Sequence, residues 1–297
     1  MFLPNLKHLR YLIALYQEKN FHRAAAACFV SQSTLSSAIL KLEEQLNCQL
    51  IERDNKSFLF TTQGIEVVEK SRQLLVSANE LVGFAKQQGN EYGGTVRIGC
   101  IPTIAPFLLT DFVQACQSKL PELDLFLRED TTENLMELLN NGEIDLLILA
   151  LPVAVNNFHC KTVGKDRFFM AGDQTLVKKF QKTASYQLLP EQSIFLLSSE
   201  HCLTEHALSA CKLADKSRIH SFSASSLSTL VQMTAFHQGF TFLPEMAVNK
   251  DVGKNEGLTI APLDRDYYRE IGVVWRKTSM RNALYNQLSA VIASLFK

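Results

Sequence analysis

The first 92 residues carry apolar side chains at the spacing of amphipathic helices. In the first predicted helix, the positions i, i+3, i+4 and i+7 are Leu9, Leu12, Ile13 and Tyr16. A short second helix is predicted at about 22–28, around a run of alanines. A third helix is predicted to begin after Ser31, because serine is a preferred N-cap residue.

The third helix has two contrasting faces. Its inner face carries Leu35, Ile39, Leu42 and Leu46. Its outer face near the N-terminus carries small polar residues, namely Gln32, Ser33, Thr34, Ser36 and Ser37. A short helix, a tight turn and a helix with small polar residues at its start are typical of a helix-turn-helix, whose second helix enters the DNA major groove. An ordinary helical hairpin with a solvated face is the alternative.

A hairpin is predicted directly after these helices. The segment "QLIERDNKSFLFTTQG" places the turn formers Asp54 and Asn55 between short apolar runs. Arg53 and Lys56 lie on this hairpin, where they are expected to reach DNA phosphates or a minor groove. Residues 1–62 contain seven basic and five acidic side chains, a net charge of +2. This modest charge predicts that affinity for DNA comes from placed contacts and from a dimer.

A single long helix is predicted over residues 62–88. Its apolar stripe consists of Ile65, Val68, Leu75, Ala78, Val82 and Ala85. About 27 residues at ~1.5 Å each span ~40 Å, too long to pack fully on a small winged domain. We therefore expect the same helix of a second subunit as its partner. The alternative is a helix folded onto its own chain. Residues 87–94 then form a hinge.

From residue 95 the pattern changes to alternating strands and helices. Strands are predicted at 95–101, 123–129 and 144–151, with helices at 105–118 and 132–142 between them. The same alternation continues through 167–245, where it includes a helix around 204–212. A strand at 269–276 and a helix at 279–296 follow. This order predicts an α/β domain with a largely parallel sheet.

Composition and charge narrow the function classes. The 297 residues are 46% hydrophobic, and 30 basic side chains balance 30 acidic ones. Global charge thus favours no partner. The N-terminus does not resemble a signal peptide, and no run of about 18 apolar residues is present. We expect a cytoplasmic protein without membrane contact, metal or cofactor. Motifs for nucleotide phosphates and hydrolases are missing, which argues against an enzyme.

The helical segment carries a family resemblance. "NFHRAAAACFVSQSTLSSAILKLEEQLNCQLIER" followed by "FTTQG" resembles the DNA-binding domain of LysR-type transcriptional regulators. Ser33 departs from the proline that is common there. The resemblance implies a winged helix-turn-helix at 1–62, which binds double-stranded promoter DNA, and a dimerising linker at 63–92. It further implies dimers or tetramers, and RNA polymerase as a partner.

The resemblance extends over the α/β segment. It implies a two-lobed regulatory domain at 93–297 that resembles periplasmic binding proteins. Lobe I is expected at about 93–163 and 269–297, and lobe II at about 164–268. Such folds bind ligands in a cleft at the carboxyl ends of strands.

Seven cysteines are present, and five are expected to be small buried residues. These are Cys28, Cys48, Cys100, Cys116 and Cys160. Cys202 differs, because it follows "FLLSSEH" in a polar setting at a strand-to-helix junction. If the segment after it is helical, Cys211 lies on the opposite face, ~13 Å away along the axis. Disulfides need Cα atoms within about 7 Å, so bonding requires the segment to be rebuilt.

The segment "HCLTEHALSAC" narrows the resemblance to peroxide-sensing members of the family. This implies that hydrogen peroxide oxidises Cys202 and that Cys211 resolves it as a reversible disulfide. Thr103, Thr132 and His201 would bind peroxide or its water network, and Arg269 would stabilise the thiolate. Cys100 departs from the expected apolar residue. The expected function is a peroxide-sensing transcription activator. The alternatives are a LysR-type regulator with a small-molecule inducer, and a thiol-based redox enzyme.

Overall fold

The protein is described by a computed structural model. It describes residues 3–54, 57–86, 92–155, 158–183, 189–199, 203–205, 208, 216–263 and 267–296. The chain divides into two compact units. The first contains Met1–Gln88 with Asn140–Gly142 and Thr278–Met280, and the second contains the rest.

The first unit begins with three short helices. These are α1 (Leu6–Glu18), α2 (Phe21–Ala27) and α3 (Gln32–Leu46). The predicted N-cap of α3 is confirmed, because Ser31 Oγ accepts a hydrogen bond from the Thr34 amide at 3.1 Å. On the inner face of α3, Leu35, Ile39 and Leu42 are fully buried. Leu46 was expected there too but is 36% exposed, because the helix ends at this residue and its last turn extends past the core.

A two-stranded antiparallel hairpin follows, as predicted. It consists of β1 (Ile51–Arg53) and β2 (Phe58–Phe60). Glu43 on α3 fixes its base, since one carboxylate oxygen accepts from the Leu50 and Ile51 amides at 2.8 and 3.0 Å. Gly64, in the helix that follows the hairpin, approaches the same base so closely that a Cβ there would clash with the Leu50 carbonyl oxygen. The close approach of hairpin and following helix therefore requires glycine at position 64.

The long helix α4 spans Thr62–Lys86. Of the predicted stripe, Val68 is fully buried, but Ile65 is 41% exposed and Val82 is 53% exposed. Leu74 and Leu81 are also exposed, at 46% and 59%. Val76 is buried, but several other apolar side chains in the second half of α4 are thus exposed.

The second unit alternates strands and helices. Its strands are β3 (Gly94–Cys100), β4 (Leu123–Glu129), β5 (Leu146–Leu151), β6 (Phe158–Gly172), β7 (Ile194–Leu197), β8 (Ile219–Ala224), β9 (Phe240–Pro244), β10 (Thr259–Pro262) and β11 (Tyr268–Arg276). Its helices, numbered as the structure describes them, are α5 (Ala105–Lys119), α6 (Thr132–Asn140), α7 (Gln174–Thr183), α8 (Leu227–Phe236), α9 (Glu245–Val248) and α10 (Asn282–Ala293). The predicted helix around 204–212 falls largely outside the described residues.

The sheet is mixed, which corrects the expectation of a largely parallel one. The strand order is β4-β3-β5-β11-β6-β9-β7-β8, and β10 also pairs with β6. β3, β4 and β5 pair in parallel, as do β7, β8 and β9. β11 pairs antiparallel with both β5 and β6, and β6 pairs antiparallel with β9. Each of the two central strands therefore runs antiparallel to the parallel group beside it, β11 to that of β5 and β6 to that of β9.

Two hydrophobic cores lie along this sheet. The first draws on buried residues between Val96 and Val163 and between Ile271 and Ile292. The second draws on buried residues between Phe168 and Ala261. β6 contributes Val163 to the first core and Phe168 to the second. This crossing from core to core agrees with the predicted two-lobed architecture.

None of the helices in the described part of the chain combines the length and the apolar character that crossing a membrane requires.

Candidate functional sites

The start of α3 forms a cluster of exposed hydroxyl groups. Ser31 Oγ lies 2.9 Å from Ser33 Oγ and 2.7 Å from Thr34 Oγ1. Gln32, Ser33, Thr34 and Ser37 are exposed, and Ser36 is half-buried. Small hydroxyl side chains at a helix N-terminus permit close approach and can bond to phosphates and base edges.

The hairpin places a cation beside this cluster. Arg53 Nη1 donates to Ser36 Oγ at 3.2 Å, and its guanidinium lies 5.5 Å from the centre of the Phe21 ring. Two residues predicted separately, one on the helix and one on the hairpin, are thus brought together. Lys56, the other predicted hairpin cation, lies outside the described residues.

A groove between α1 and α3 adds residues that the sequence did not single out. Its volume is about 490 Å³. Its lining comprises Lys7, His8, Tyr11, Ser33, Thr34, Ser37, Ala38 and Lys41. Two lysines and several hydroxyls facing one groove suit a negatively charged partner. The sequence signal that could have indicated this groove is the spacing of Thr34, Ser37 and Lys41, which lie three to four residues apart along one face of α3.

His8 is the titratable group of this groove with a shifted pKa. Burial, and then the positive charge of Lys41, lower the pKa of His8 below its ordinary value. Its Nδ1 atom is buried and finds no hydrogen-bond partner among the described residues. Both effects favour the neutral imidazole in the folded protein.

The second site is a buried network around Arg269 on β11. The guanidinium donates to Thr103 in two places, from Nη1 to Oγ1 and from Nη2 to the carbonyl oxygen, both at 2.8 Å. Its Nε donates to Asp166 Oδ2 at 2.9 Å. Thr103, Asp166 and Arg269 are each 2% exposed. Two predicted pocket residues, 166 positions apart in sequence, are thus in direct contact.

Thr132 lies at the start of α6. It is half-buried and follows the end of β4 by three residues, as Thr103 follows the end of β3. Because β3 and β4 are parallel neighbours, with Cys100 paired to Glu129, both threonines lie at the same edge of the sheet.

The remaining predicted redox residues, Cys202, Cys211 and His201, lie outside the described residues. The described residues beside them include Leu203–Glu205, which are helical. Leu203 is buried in the second core, and Thr204 Oγ1 donates to the Leu197 carbonyl at 2.8 Å.

A cavity of about 400 Å³ lies close to this network. Thr103, Glu129, Leu197 and Ser225 line it, each at or just beyond the carboxyl end of a parallel strand. Further lining residues include Phe107, Val231, Lys250, Asp251, Asn255 and Glu256. The cavity occupies the position where the resemblance predicted a ligand cleft.

The five described cysteines are all unpaired. Cys100 and Cys116 are buried as expected, and burial raises the pKa of Cys116 to about 11. Cys28 and Cys48 are half-buried. Cys160 was expected to be buried but is exposed, because it lies in a run of exposed residues, 159–162, at the start of β6.

Comparison with known proteins identifies the family. Residues 6–65 match the family model described as bacterial regulatory helix-turn-helix protein, lysR family, and residues 89–297 match the LysR substrate binding domain. The chain belongs to the LysR family of transcriptional regulators. The helix-turn-helix of this LysR protein makes it a DNA-binding regulator.

Three relatives illustrate its place in the LysR family. The transcriptional regulator EstR of Acinetobacter baylyi is 34% identical over 278 residues, covering 93% of this chain and 92% of EstR. The hydrogen peroxide-inducible genes activator of Haemophilus influenzae is 33% identical over 294 residues, covering 99% and 97%. Among solved structures, the reduced regulatory domain of OxyR2 from Vibrio vulnificus is 48% identical with a TM-score of 0.65. The match covers 68% of this chain and 96% of that domain.

Proposed function

We propose that this LysR-family protein is a transcription activator that senses hydrogen peroxide through a reversible disulfide between Cys202 and Cys211. The contact between Thr103 and Arg269 carries the proposal. Both residues were expected at a peroxide pocket, and they share one buried network. Thr103 also lines the same cavity as Leu197, whose carbonyl oxygen accepts a hydrogen bond from Thr204. Full-length similarity to a peroxide-inducible activator supports the same function.

The proposed chemistry has two balanced steps. The Cys202 thiolate attacks one peroxide oxygen and breaks the O–O bond, which yields a sulfenic acid and, after protonation, water. The Cys211 thiol then displaces the sulfenic hydroxyl as a second water, and the S–S bond forms. Peroxide takes up the two electrons that the thiols lose. Thr103, Thr132 and His201 are proposed to bind the peroxide, and Arg269 to stabilise the thiolate.

We propose that the DNA interface consists of the α3 cluster, the hairpin and the groove. Gln32, Ser33, Thr34, Ser36 and Ser37 are proposed to face base edges and phosphates. Arg53 and Lys56 are proposed to reach the backbone beside them, and Lys7 and Lys41 to add phosphate contacts from the groove.

We further propose that the domain boundaries are 1–62, 63–92 and 93–297, and that α4 pairs with its copy in a dimer. The exposed Leu74, Leu81 and Val82 support this pairing. Tetramers and a contact with RNA polymerase are proposed on the family resemblance. A thiol switch also needs a compartment that keeps thiols reduced, which supports a cytoplasmic location.

One experiment tests the sensor. The purified protein is treated with stoichiometric peroxide, its disulfides are mapped by mass spectrometry, and promoter DNA is footprinted before and after. We expect a Cys202–Cys211 bond and a changed footprint, both lost in Cys202→Ser. Absence of the bond, or a normal response of Cys202→Ser, refutes the sensor. Cys160→Ser is the matched control, because that thiol is exposed but plays no part in the proposal.

The cavity favours a second candidate function. Its volume of about 400 Å³ and its mixed lining suit a small organic inducer. In that case Cys202→Ser leaves regulation intact, and substitutions in the cavity lining abolish it. A thiol peroxidase would instead consume excess peroxide catalytically with a thiol reductant. We propose that this protein does not.

A further inference from the structure

Asp166 is a buried carboxylate in the middle of the α/β unit. It lies on β6 directly opposite Arg269 of β11 in the antiparallel ladder. The side chains of Asp166 and Arg269 are 1% and 0% exposed. A buried guanidinium needs a charged partner, since an unpaired charge at such a site is strongly unfavourable. Among the described residues, Asp166 is the carboxylate that contacts it.

Both oxygens of Asp166 are engaged. Oδ2 accepts from Arg269 Nε at 2.9 Å, and Oδ1 accepts from the Met246 amide at 3.1 Å. Met246 lies in the first turn of α9, whose N-cap residue Pro244 provides no side-chain hydrogen bond. Asp166 therefore caps this helix from a neighbouring strand, and its carboxylate is held from two directions.

This arrangement fixes the plane of the guanidinium. The group is rigid and planar, so holding Nε–H against Asp166 determines where both terminal nitrogens point. They point at Thr103, and Nη2 also lies 3.8 Å from Met246 Sδ. Because Arg269 can only donate, Thr103 Oγ1 acts as the acceptor, and the threonine retains its own proton to donate elsewhere.

The charge of Arg269 also reaches a thiol at this edge of the sheet. Burial raises the pKa of Cys100 strongly, and Glu129 raises it further, whereas Arg269 lowers it. The balance between Arg269 and nearby carboxylates therefore bears on how readily a cysteine here ionises. The remaining charged groups around the adjacent cavity are Lys250, Asp251 and Glu256.

We propose that Asp166 is a positioning residue of the proposed peroxide site: it aims Arg269 at Thr103, and its negative charge moderates the positive charge of Arg269. The assignment rests on the proposed peroxide-sensing function. It gives the network two separable roles, one geometric and one electrostatic. The geometric role belongs to the two hydrogen bonds that hold the Asp166 carboxylate, and the electrostatic role to its negative charge.

Asp166→Asn tests the electrostatic role, because it removes the charge while keeping the size of the side chain and one of its two acceptors. The readout is the rate of Cys202 alkylation by iodoacetamide as a function of pH, followed on the Cys202 peptide by mass spectrometry. Because the negative charge of Asp166 is removed, we expect the midpoint of this pH profile to move to lower pH. Alkylation below the wild-type midpoint should be roughly three- to tenfold faster, as expected for loss of one nearby like charge. Asp166→Glu restores the charge and should return the midpoint toward that of the wild type.

The matched control is Asp145→Asn. Asp145 likewise forms ion pairs with arginine: its Oδ1 lies 2.8 Å from Arg97 Nη2 and 3.3 Å from Arg276 Nη2. It does not contact the Arg269 network. The Asp145→Asn variant should be less stable than the wild type, but the pH midpoint of its Cys202 alkylation should not move. A wild-type midpoint in Asp166→Asn, or an equal shift in Asp145→Asn, overturns the assignment.

A second pair of variants serves if circular dichroism shows that Asp166→Asn does not fold. The single variant Arg269→Gln is then compared with the double variant Asp166→Asn/Arg269→Gln, since neither contains an unpaired buried arginine. We expect a lower midpoint of the alkylation profile in the double variant, and equal midpoints overturn the assignment.

If peroxide does not oxidise wild-type Cys202, the proposed function fails first and the assignment fails with it. Oxidation of wild-type Cys202 with an unmoved Asp166→Asn midpoint removes the assignment alone.

Discussion

At the residue scale, single side chains hold both sites together: Ser31 caps the start of α3, and Asp166 and Thr103 both bind the guanidinium of Arg269. Ser31 was predicted as a cap from its residue type and place, because capping is a local interaction. Asp166 was not predicted, because its role depends on the register that sets it opposite Arg269, 103 positions later. Thr103 and Arg269 were named through resemblance alone. Their mutual contact depends on the order β3-β5-β11 in the sheet and was not predictable from the local pattern.

Thr103→Val tests the network without altering any charge. Valine has nearly the same shape, but it leaves Arg269 Nη1 without its hydroxyl acceptor in a buried site. We expect a loss of about 1–3 kcal/mol in the free energy of unfolding, measured by urea denaturation. Thr110→Val, at an exposed position of α5, is the control and should change the stability by less than about 0.5 kcal/mol. Equal effects of the two substitutions would refute a stabilising role for the hydroxyl.

His8 is expected to make the first unit sensitive to acid. Its folded pKa is below the ordinary value of 6.5, so the unfolded chain binds a proton more readily. Stability is therefore lost as pH falls below about 6.5, and the loss levels off below the folded pKa. His8→Gln should show a smaller decrease in melting temperature between about pH 7 and pH 5 than the wild type. His22→Gln, at an exposed position of α2, should behave as the wild type.

At the element scale, local periodicity predicted most helices and the apolar strands. The hairpin, α3 and β4 were located within a residue or two, because each has a clear pattern and turn residues at its ends. The first half of β6 was missed, because residues 158–162 are mostly exposed and polar. Strand direction was also mispredicted. The antiparallel returns of β6 and β11 depend on contacts between distant segments, which a local pattern does not contain.

The groove between α1 and α3 yields a prediction at this scale. Lys41→Ala and Lys7→Ala should each weaken binding to promoter DNA, and to unrelated DNA in similar proportion, because a phosphate contact carries no sequence information. Each lost contact should reduce the slope of log affinity against log salt by about one. Fluorescence anisotropy at several salt concentrations measures both. Lys178→Ala, at an exposed position of α7, is the control, and an unchanged slope for Lys41→Ala would contradict the groove contact.

At the scale of the whole molecule, α4 links stability to assembly. Leu74, Leu81 and Val82 are exposed apolar side chains of this helix. Leu81→Glu with Val82→Glu should convert dimers to monomers in sedimentation-velocity experiments, because charges at a packed apolar interface are strongly unfavourable. Leu59→Glu is the matched control, since Leu59 is 70% exposed on β2. Monomers in the wild type, or dimers in the double variant, would exclude this pairing.

The ladder between β6 and β11 has a consequence for how the α/β unit unfolds. Val163 and Ile271 on these strands pack in the first core, while Phe168 of β6 packs in the second. Neither core can melt without breaking strands that the other needs, so the two lose structure together. Calorimetry of this region should give a single transition whose calorimetric and van't Hoff enthalpies agree. Although it is built as two lobes, the α/β unit is therefore expected to unfold as one cooperative unit.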